Sequence, residues 1–182
     1  QVVDVDLRLL AQVQRREGLF DRRAQAVLEG VLLEAEAADL VLERLKPWLE
    51  NPAKHKLGQH IKYDRHVFAN HGIEVQGYVH DTMLQSYVLE VHKPHGLSSL
   101  AERHRGRSGI SYEDLCGKGA HQITFSQVDV QKAAEYSGED SEMTLAVHQV
   151  LWPQLEAEPG LRFVYEKIEM PTSALLARIE RH

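Results

Sequence analysis

Asp64, Tyr136 and Asp140 are the residues whose types and spacing suit metal-assisted chemistry. Asp64 lies within KYDRHVFANHG, between a tyrosine and an arginine, where the sequence predicts the mouth of a helix. Tyr136 and Asp140 stand four apart in AAEYSGEDSEMTL, so on a helix they share one face. The intervening Ser137, Gly138 and Glu139 keep that face small and polar. Carboxylates brought from separate elements beside a tyrosine hydroxyl suit two-metal hydrolysis of a phosphodiester. In that chemistry two divalent ions ~4 Å apart clamp the attacking and leaving oxygens, and hard oxygen ligands select magnesium or manganese. The tyrosine would orient the attacking water. Spacing alone leaves a second reading open: Asp64 as a helix-start carboxylate favoured by the dipole, and Asp140 as a solvated acid beside Glu139 and Glu142.

The elements that must position these groups follow from periodicity. QVVDVDLRLL reads as a short strand that turns helical. Within residues 21–38, Val27, Leu28, Val31, Leu32 and Ala35 recur at three and four, which predicts an amphipathic helix. A second helix is predicted from Asp39 to Glu50, ending at Asn51-Pro52. The rhythm then becomes that of an α/β domain. KHKLGQH reads as a strand or strand end, residues 62–71 as a helix closed by Gly72, and IEVQGYVHD as a strand pair or a bent strand. TMLQSYVLEV is a helix with Asp81 as its N-cap. SSLAERHRG is a helix ended by a glycine, SYEDLCGKG a turn-rich one, and Ser126 is expected to cap the long helix that carries Tyr136. A last helix, from about Leu161 to Arg181, carries Met170-Pro171, and the chain reads as cut there rather than finished.

A chain of 182 residues, 43% hydrophobic and 26% charged, has the mass and balance of a globular domain with its own core. No apolar run approaches the roughly 18 residues of a membrane span, and no signal peptide opens the sequence, so no membrane partner is expected. Cys116 is the only cysteine, which excludes an internal disulfide and fits a reducing, cytosolic setting. A net charge of −6 argues against a general nucleic-acid coat protein, which is usually basic. It leaves room for an enzyme that grips a strand end through a local basic set, Lys54, Lys56, Lys62 and Arg65. The 11 histidines are scattered, without the HxxxH or CxxC spacing of a zinc site, and most are expected to be solvated or hydrogen-bonded.

Six strings carry a resemblance: LKPWLENP, KLGQHIKYDRHVFANHGIEVQGYVHDTMLQSYVLE, SSLAERH, YEDLCGKGAHQITFSQV, AAEYSGEDSEMTL and IEMPTSALLARIER. Together they cover about three quarters of the chain, in order and without large gaps. They resemble the 3′–5′ proofreading exonuclease domain of bacterial DNA polymerase I, a family A DNA polymerase, in the tyrosine-bearing subtype of DEDD exonucleases. The resemblance implies an α/β, ribonuclease H-like fold, a mixed sheet flanked by helices. It implies metal-dependent removal of nucleotides from a single-stranded DNA 3′ end, with Mg²⁺ or Mn²⁺, in the bacterial cytoplasm. By it Asp64 corresponds to the carboxylate of the second exonuclease motif, and Tyr136 and Asp140 to the YxxxD of the third. Gln59, His60 and Tyr63 would lie near the strand's 3′ end, although the family often has asparagine where His60 stands. Tyr112 falls where an aromatic residue packs against the terminal bases, a sequence-tolerant way to hold a strand.

The family's first motif, a strand carrying D-x-E, has no recognisable counterpart. Its nearest candidate is VVDVD, where Asp4 and Asp6 would alternate onto one face of a strand. The N-terminal strands are therefore expected to be missing or altered. The implied division is an atypical segment over 1–38, an exonuclease body over 39–160, and the start of a connection to the polymerase domain of the same parent chain over 161–182. The implied activity is an impaired exonuclease. The alternative is a catalytically inactive, exonuclease-like structural domain of a family A polymerase.

Overall fold

The computed structural model describes residues 35–107 and 109–181. The predicted strand at Asp4 and Asp6, and the predicted helix over 21–38 up to residue 34, lie outside the described residues. Helix α1, Ala35–Leu49, runs through Asp39 without a break, so Asp39 does not begin a helix of its own. It carries Pro47 in its last turn and ends there, as a residue without an N–H donor favours.

Strand β1 (Lys56–Gly58), helix α2 (Ile61–Asn70) and strand β2 (Tyr78–Asp81) follow as a β-α-β unit. The strands pair in parallel, with Leu57 opposite His80 and Gly58 opposite Asp81, and the register is irregular between Lys56 and Leu57. A two-stranded parallel sheet is all the sheet among the described residues. The strand pair or bent strand predicted over IEVQGYVHD is instead a loop that enters one short strand. The turn is made by Gly77 at φ +75, whose Cα is crowded by main-chain oxygens: a Cβ there would stand 2.4 Å from the Lys54 carbonyl oxygen. Leu42, Leu49, Phe68, Ile73 and Val75 form the core between α1 and the β-α-β unit.

Beyond the sheet the chain is helical: α3 (Thr82–Leu89), α4 (Leu97–Arg105), α5 (Tyr112–Cys116), short 3₁₀ turns at Gly119–His121 and Phe125–Gln127, and the long α6 (Val130–Ala157). The cap of α6 is Asp129, not Ser126. The Asp129 carboxylate accepts from the amides of Gln131 and Lys132, while residues 125–127 are taken up by the 3₁₀ turn. Helices α3 and α4 pack along α6, around a core of Leu100, Val147 and Leu151.

The last predicted helix is α7 (Pro159–Val164), a π turn (Tyr165–Glu169) and α8 (Met170–Ile179). Pro171 explains the π turn: it has no N–H to donate and its ring would collide with a carbonyl one turn back, so the helix widens ahead of it. Helix α8 lies on α2. Glu180 receives Lys62 Nζ at 2.6 Å and His66 Nε2 at 3.0 Å, and Arg181 donates to the His66 carbonyl and to Asn70 Oδ1.

Those hydrogen bonds from Lys62 and His66 hold the Glu180 carboxyl below its ordinary value of 4.5. A carboxyl with a lowered folded value stabilises above the ordinary value, and loses that contribution as the pH falls through the lowered one. The last turn of α8 should therefore loosen selectively below about pH 4.5, seen as faster amide exchange there than in α6. In Glu180→Gln that acid-dependent step should be missing.

Candidate active site

Two helix starts converge on one side chain. Asp81, 2% exposed, accepts from the amides of Met83 (2.9 Å) and Leu84 (3.4 Å) as the cap of α3. It also accepts from the amides of His60 (3.0 Å) and Ile61 (2.9 Å) at the start of α2. The predicted cap of one helix thus fastens two. His60 adopts the left-handed conformation, φ 61, to bring its amide to the carboxylate. Burial pushes the Asp81 carboxyl above the ordinary aspartate range, against those four amides, which favour its charged form. Its own amide donates to the Tyr165 hydroxyl at 2.9 Å, and burial pushes that phenol up in turn.

So held, α2 presents Asp64 from its first turn to the end of β1. Asp64 is 6% exposed, and a Cβ built on Gly58 would lie 3.5 Å from its Oδ2 and 2.5 Å from Ile61 Cγ2. Only a residue without a side chain lets α2 lie this close to the strand end, a requirement that KLGQH carried without declaring it.

Helix α6 also packs against β1. Tyr136 and Asp140 both fall on its inner face, 6% and 7% exposed, beside Ser137 and Ser141. The Ser141 hydroxyl donates to the Ser137 carbonyl and the Thr144 hydroxyl to the Asp140 carbonyl, both at 2.8 Å, so these two hydroxyls are satisfied within the helix. The buried Ser137 hydroxyl has no hydrogen-bond partner among the described residues. The fold therefore sets Asp64 against β1 from one helix, and brings the helix of Tyr136 and Asp140 against the same strand.

The residues expected near a strand end occupy different settings. Tyr63 is 51% exposed and stacks on His60, ring centroids 6.3 Å apart. Gln59 is half-buried: its amide donates to the His95 carbonyl at 2.9 Å and its Oε1 accepts from the Thr82 hydroxyl. Tyr112, at the start of α5, is 39% exposed and stacks on Phe125, a ring the sequence did not single out.

The predicted basic set is largely used inside the fold. Lys56 is buried over the Trp48 ring with its Nζ on the carbonyls of Asn51 and Lys54, and burial pulls it down to about 8. Lys62 is paired with Glu180, and Arg65 lies over the Tyr78 ring and donates to the Val75 carbonyl. Among the described residues no three His, Cys, Asp or Glu side chains are grouped to hold a metal ion. Asp64 and Asp140 are hard oxygen donors of the kind Mg²⁺ or Mn²⁺ takes, and further ligands must come from elsewhere. Asp4 and Asp6 lie outside the described residues.

Comparison with known proteins bears on these residues directly. A family of 3′–5′ exonucleases matches residues 6–156, a span that takes in Asp6, Asp64, Tyr136 and Asp140. DNA polymerase I of Pseudomonas aeruginosa is 50% identical over 147 residues, 79% of this chain and 16% of that protein. DNA polymerase I of Rhizobium leguminosarum is 41% identical over 140 residues, 76% of this chain and 14% of that protein. DNA polymerase I of Chloroflexus aurantiacus is 37% identical over 142 residues, 77% of this chain and 15% of that protein. The chain spans about a sixth of the length of these curated relatives. No helix among the described residues is long and apolar enough to cross a membrane. On the matched span and on its identity with these polymerases, the chain belongs to the 3′–5′ exonuclease domain family of DNA polymerase I.

Proposed function

We propose that the chain removes nucleotides from the 3′ end of single-stranded DNA by two-metal phosphodiester hydrolysis, at a rate below that of a domain with an intact first motif. The observation that carries this reading is the burial of Asp64, Tyr136 and Asp140 inside the span matched to 3′–5′ exonucleases. Carboxylates are placed in such positions only where their charge is compensated. Asp64 and Asp140 would hold the ions, and Mg²⁺ or Mn²⁺ bound there would lower the pKa of a water and screen the phosphate. The Tyr136 hydroxyl orients the attacking water. Tyr63 and His60, stacked at the open end of α2, and Gln59 beside them line the strand end, while Tyr112 offers its ring to the terminal base.

The reduced rate rests on the sequence, where no D-x-E string is recognisable ahead of Asp64. A missing preorganised electrostatic group typically costs about 10²–10³ in rate. The β1-α2-β2 unit and the family match support a ribonuclease H-like fold. The match ends at residue 156, beside the end of α6 at Ala157. It begins at residue 6 and so takes in most of 1–38 as well. The division into an atypical 1–38, an exonuclease body over 39–160 and a connection to a polymerase domain over 161–182 rests on the sequence strings alone. The relatives are bacterial polymerases, which supports a place in the bacterial cytoplasm, in DNA replication and repair.

The test uses a 5′-labelled single-stranded oligonucleotide with Mg²⁺ or Mn²⁺. A ladder shortening from the 3′ end, slow beside an intact proofreading domain and stopped by EDTA, is the expected result. Shortening at that domain's own rate would end the claim of impairment. No metal-dependent shortening at high protein concentration would favour the inactive structural domain instead.

A further inference from the structure

The aromatic rings of the site form a row that the sequence did not show. Phe125 opens the 3₁₀ turn between α5 and α6, and its ring lies 6.4 Å from that of Tyr112, the planes within 13° of parallel. It also lies 6.1 Å from the ring of Tyr136, tilted by 58°. Both separations are those at which aromatic pairs attract. The row leads from an exposed tyrosine, through a half-buried phenylalanine, to a buried tyrosine on the helix of Asp140.

The turn beneath Phe125 is braced from several sides. The Thr124 amide donates to Gln127 Oε1 at 2.9 Å, and the Gln127 amide returns to the Thr124 carbonyl at 2.9 Å. The Val128 amide donates to the Phe125 carbonyl at 3.1 Å, and the Ile123 amide to the Cys116 carbonyl at the end of α5 at 2.8 Å. Phe125 is thereby fixed to the helix that Tyr112 begins, and Tyr112 itself is 39% exposed. A partly exposed ring stacked on a braced neighbour is a platform for a flat ligand.

Resting on the reading of Tyr112 as the base-stacking residue, we propose that Phe125 is a positioning residue that fixes the plane of Tyr112 against the 3′-terminal nucleobase. It is not a catalytic residue: it acts through Tyr112, and its ring contact with Tyr136 keeps that platform in register with the helix of the catalytic groups.

The experiment measures binding of the whole chain to two 5′-fluorescein single-stranded oligonucleotides in EDTA, so that neither is consumed. One ends in an ordinary 3′ nucleotide and the other in an abasic one. Phe125→Leu should weaken binding of the ordinary strand about 3- to 10-fold and of the abasic strand less than about 2-fold. Phe125→Tyr, which keeps the ring, should bind like the unmodified chain. Tyr112→Leu should show the same preference for losing the ordinary strand. Adding Phe125→Leu to it should cause no further loss, because both changes remove one interaction. Should thermal unfolding show that Phe125→Leu does not fold, Phe125→Met takes its place with the same expectations.

Losses that multiply in the double variant, equal losses on both strands, or an effect of Tyr112→Leu without one of Phe125→Leu would each overturn the proposal. A folded, unmodified chain that binds neither strand, or binds both equally with Tyr112→Leu silent, removes the stacking reading of Tyr112 and this inference with it.

Discussion

Asp64→Ala and Asp140→Ala should each lower the rate of 3′-end trimming by about 10²–10³. The double variant should be no slower than the worse single one, since groups that act as a unit are lost together. The expectation follows from where the carboxylates sit. Each is buried on its own helix, α2 or α6, and both helices pack against β1, so neither acid has the solvent that would soften its removal. A charge preorganised in such a place is worth far more than in water. Stability separates this outcome from simple unfolding. In EDTA both variants should still unfold in a single cooperative transition, so that a lost rate is not a lost fold. The unmodified chain should gain stability as Mn²⁺ is added, by mass action, and the variants should lose that gain. Retention of the unmodified rate by either variant would remove that residue from the site.

The legible part of this site lies in short-range pattern. Tyr136 and Asp140 could be paired from their spacing alone, and the Asp81 cap of α3 from one acid ahead of an apolar helix. What could not be read depends on contacts between distant segments. The same Asp81 also closes the start of α2, some twenty residues earlier, and periodicity says nothing of that. Lys62 and Arg65 look like solvated cations in KYDRH, yet Glu180 and the Tyr78 ring have claimed them. Phe125 reads as one more apolar residue until Tyr112 is laid beside it. Ser126 and Asp129 are both good cap residues, and the 3₁₀ turn between them decides for Asp129. The π turn ahead of Pro171 is a case where local chemistry held the information and length alone was read.

Asp81→Ala should be the most destabilising single change near the site, costing about 3–5 kcal/mol. An ordinary helix cap contributes about 1 kcal/mol because it satisfies one or two exposed amides. Asp81 is buried and receives four, at the starts of two helices, so its loss removes the acceptor of the buried Ile61 amide and of three partly buried ones together. For a domain whose whole stability is on the order of 5–15 kcal/mol, that is a large fraction. The measurement is urea unfolding, with the midpoint falling and the slope unchanged. Asp81→Asn should fall between the two, since an amide keeps one accepting oxygen but turns an NH₂ donor toward a backbone N–H. Activity should fall alongside stability. Asp64 stands one turn into the helix that Asp81 fastens, its carboxylate beside Gly58, and a shift of about 1 Å in a catalytic group can cost 10²-fold. A loss of under about 1 kcal/mol in Asp81→Ala would show that the two helix starts find other partners. The placement of Asp64 would then depend on packing against β1 alone.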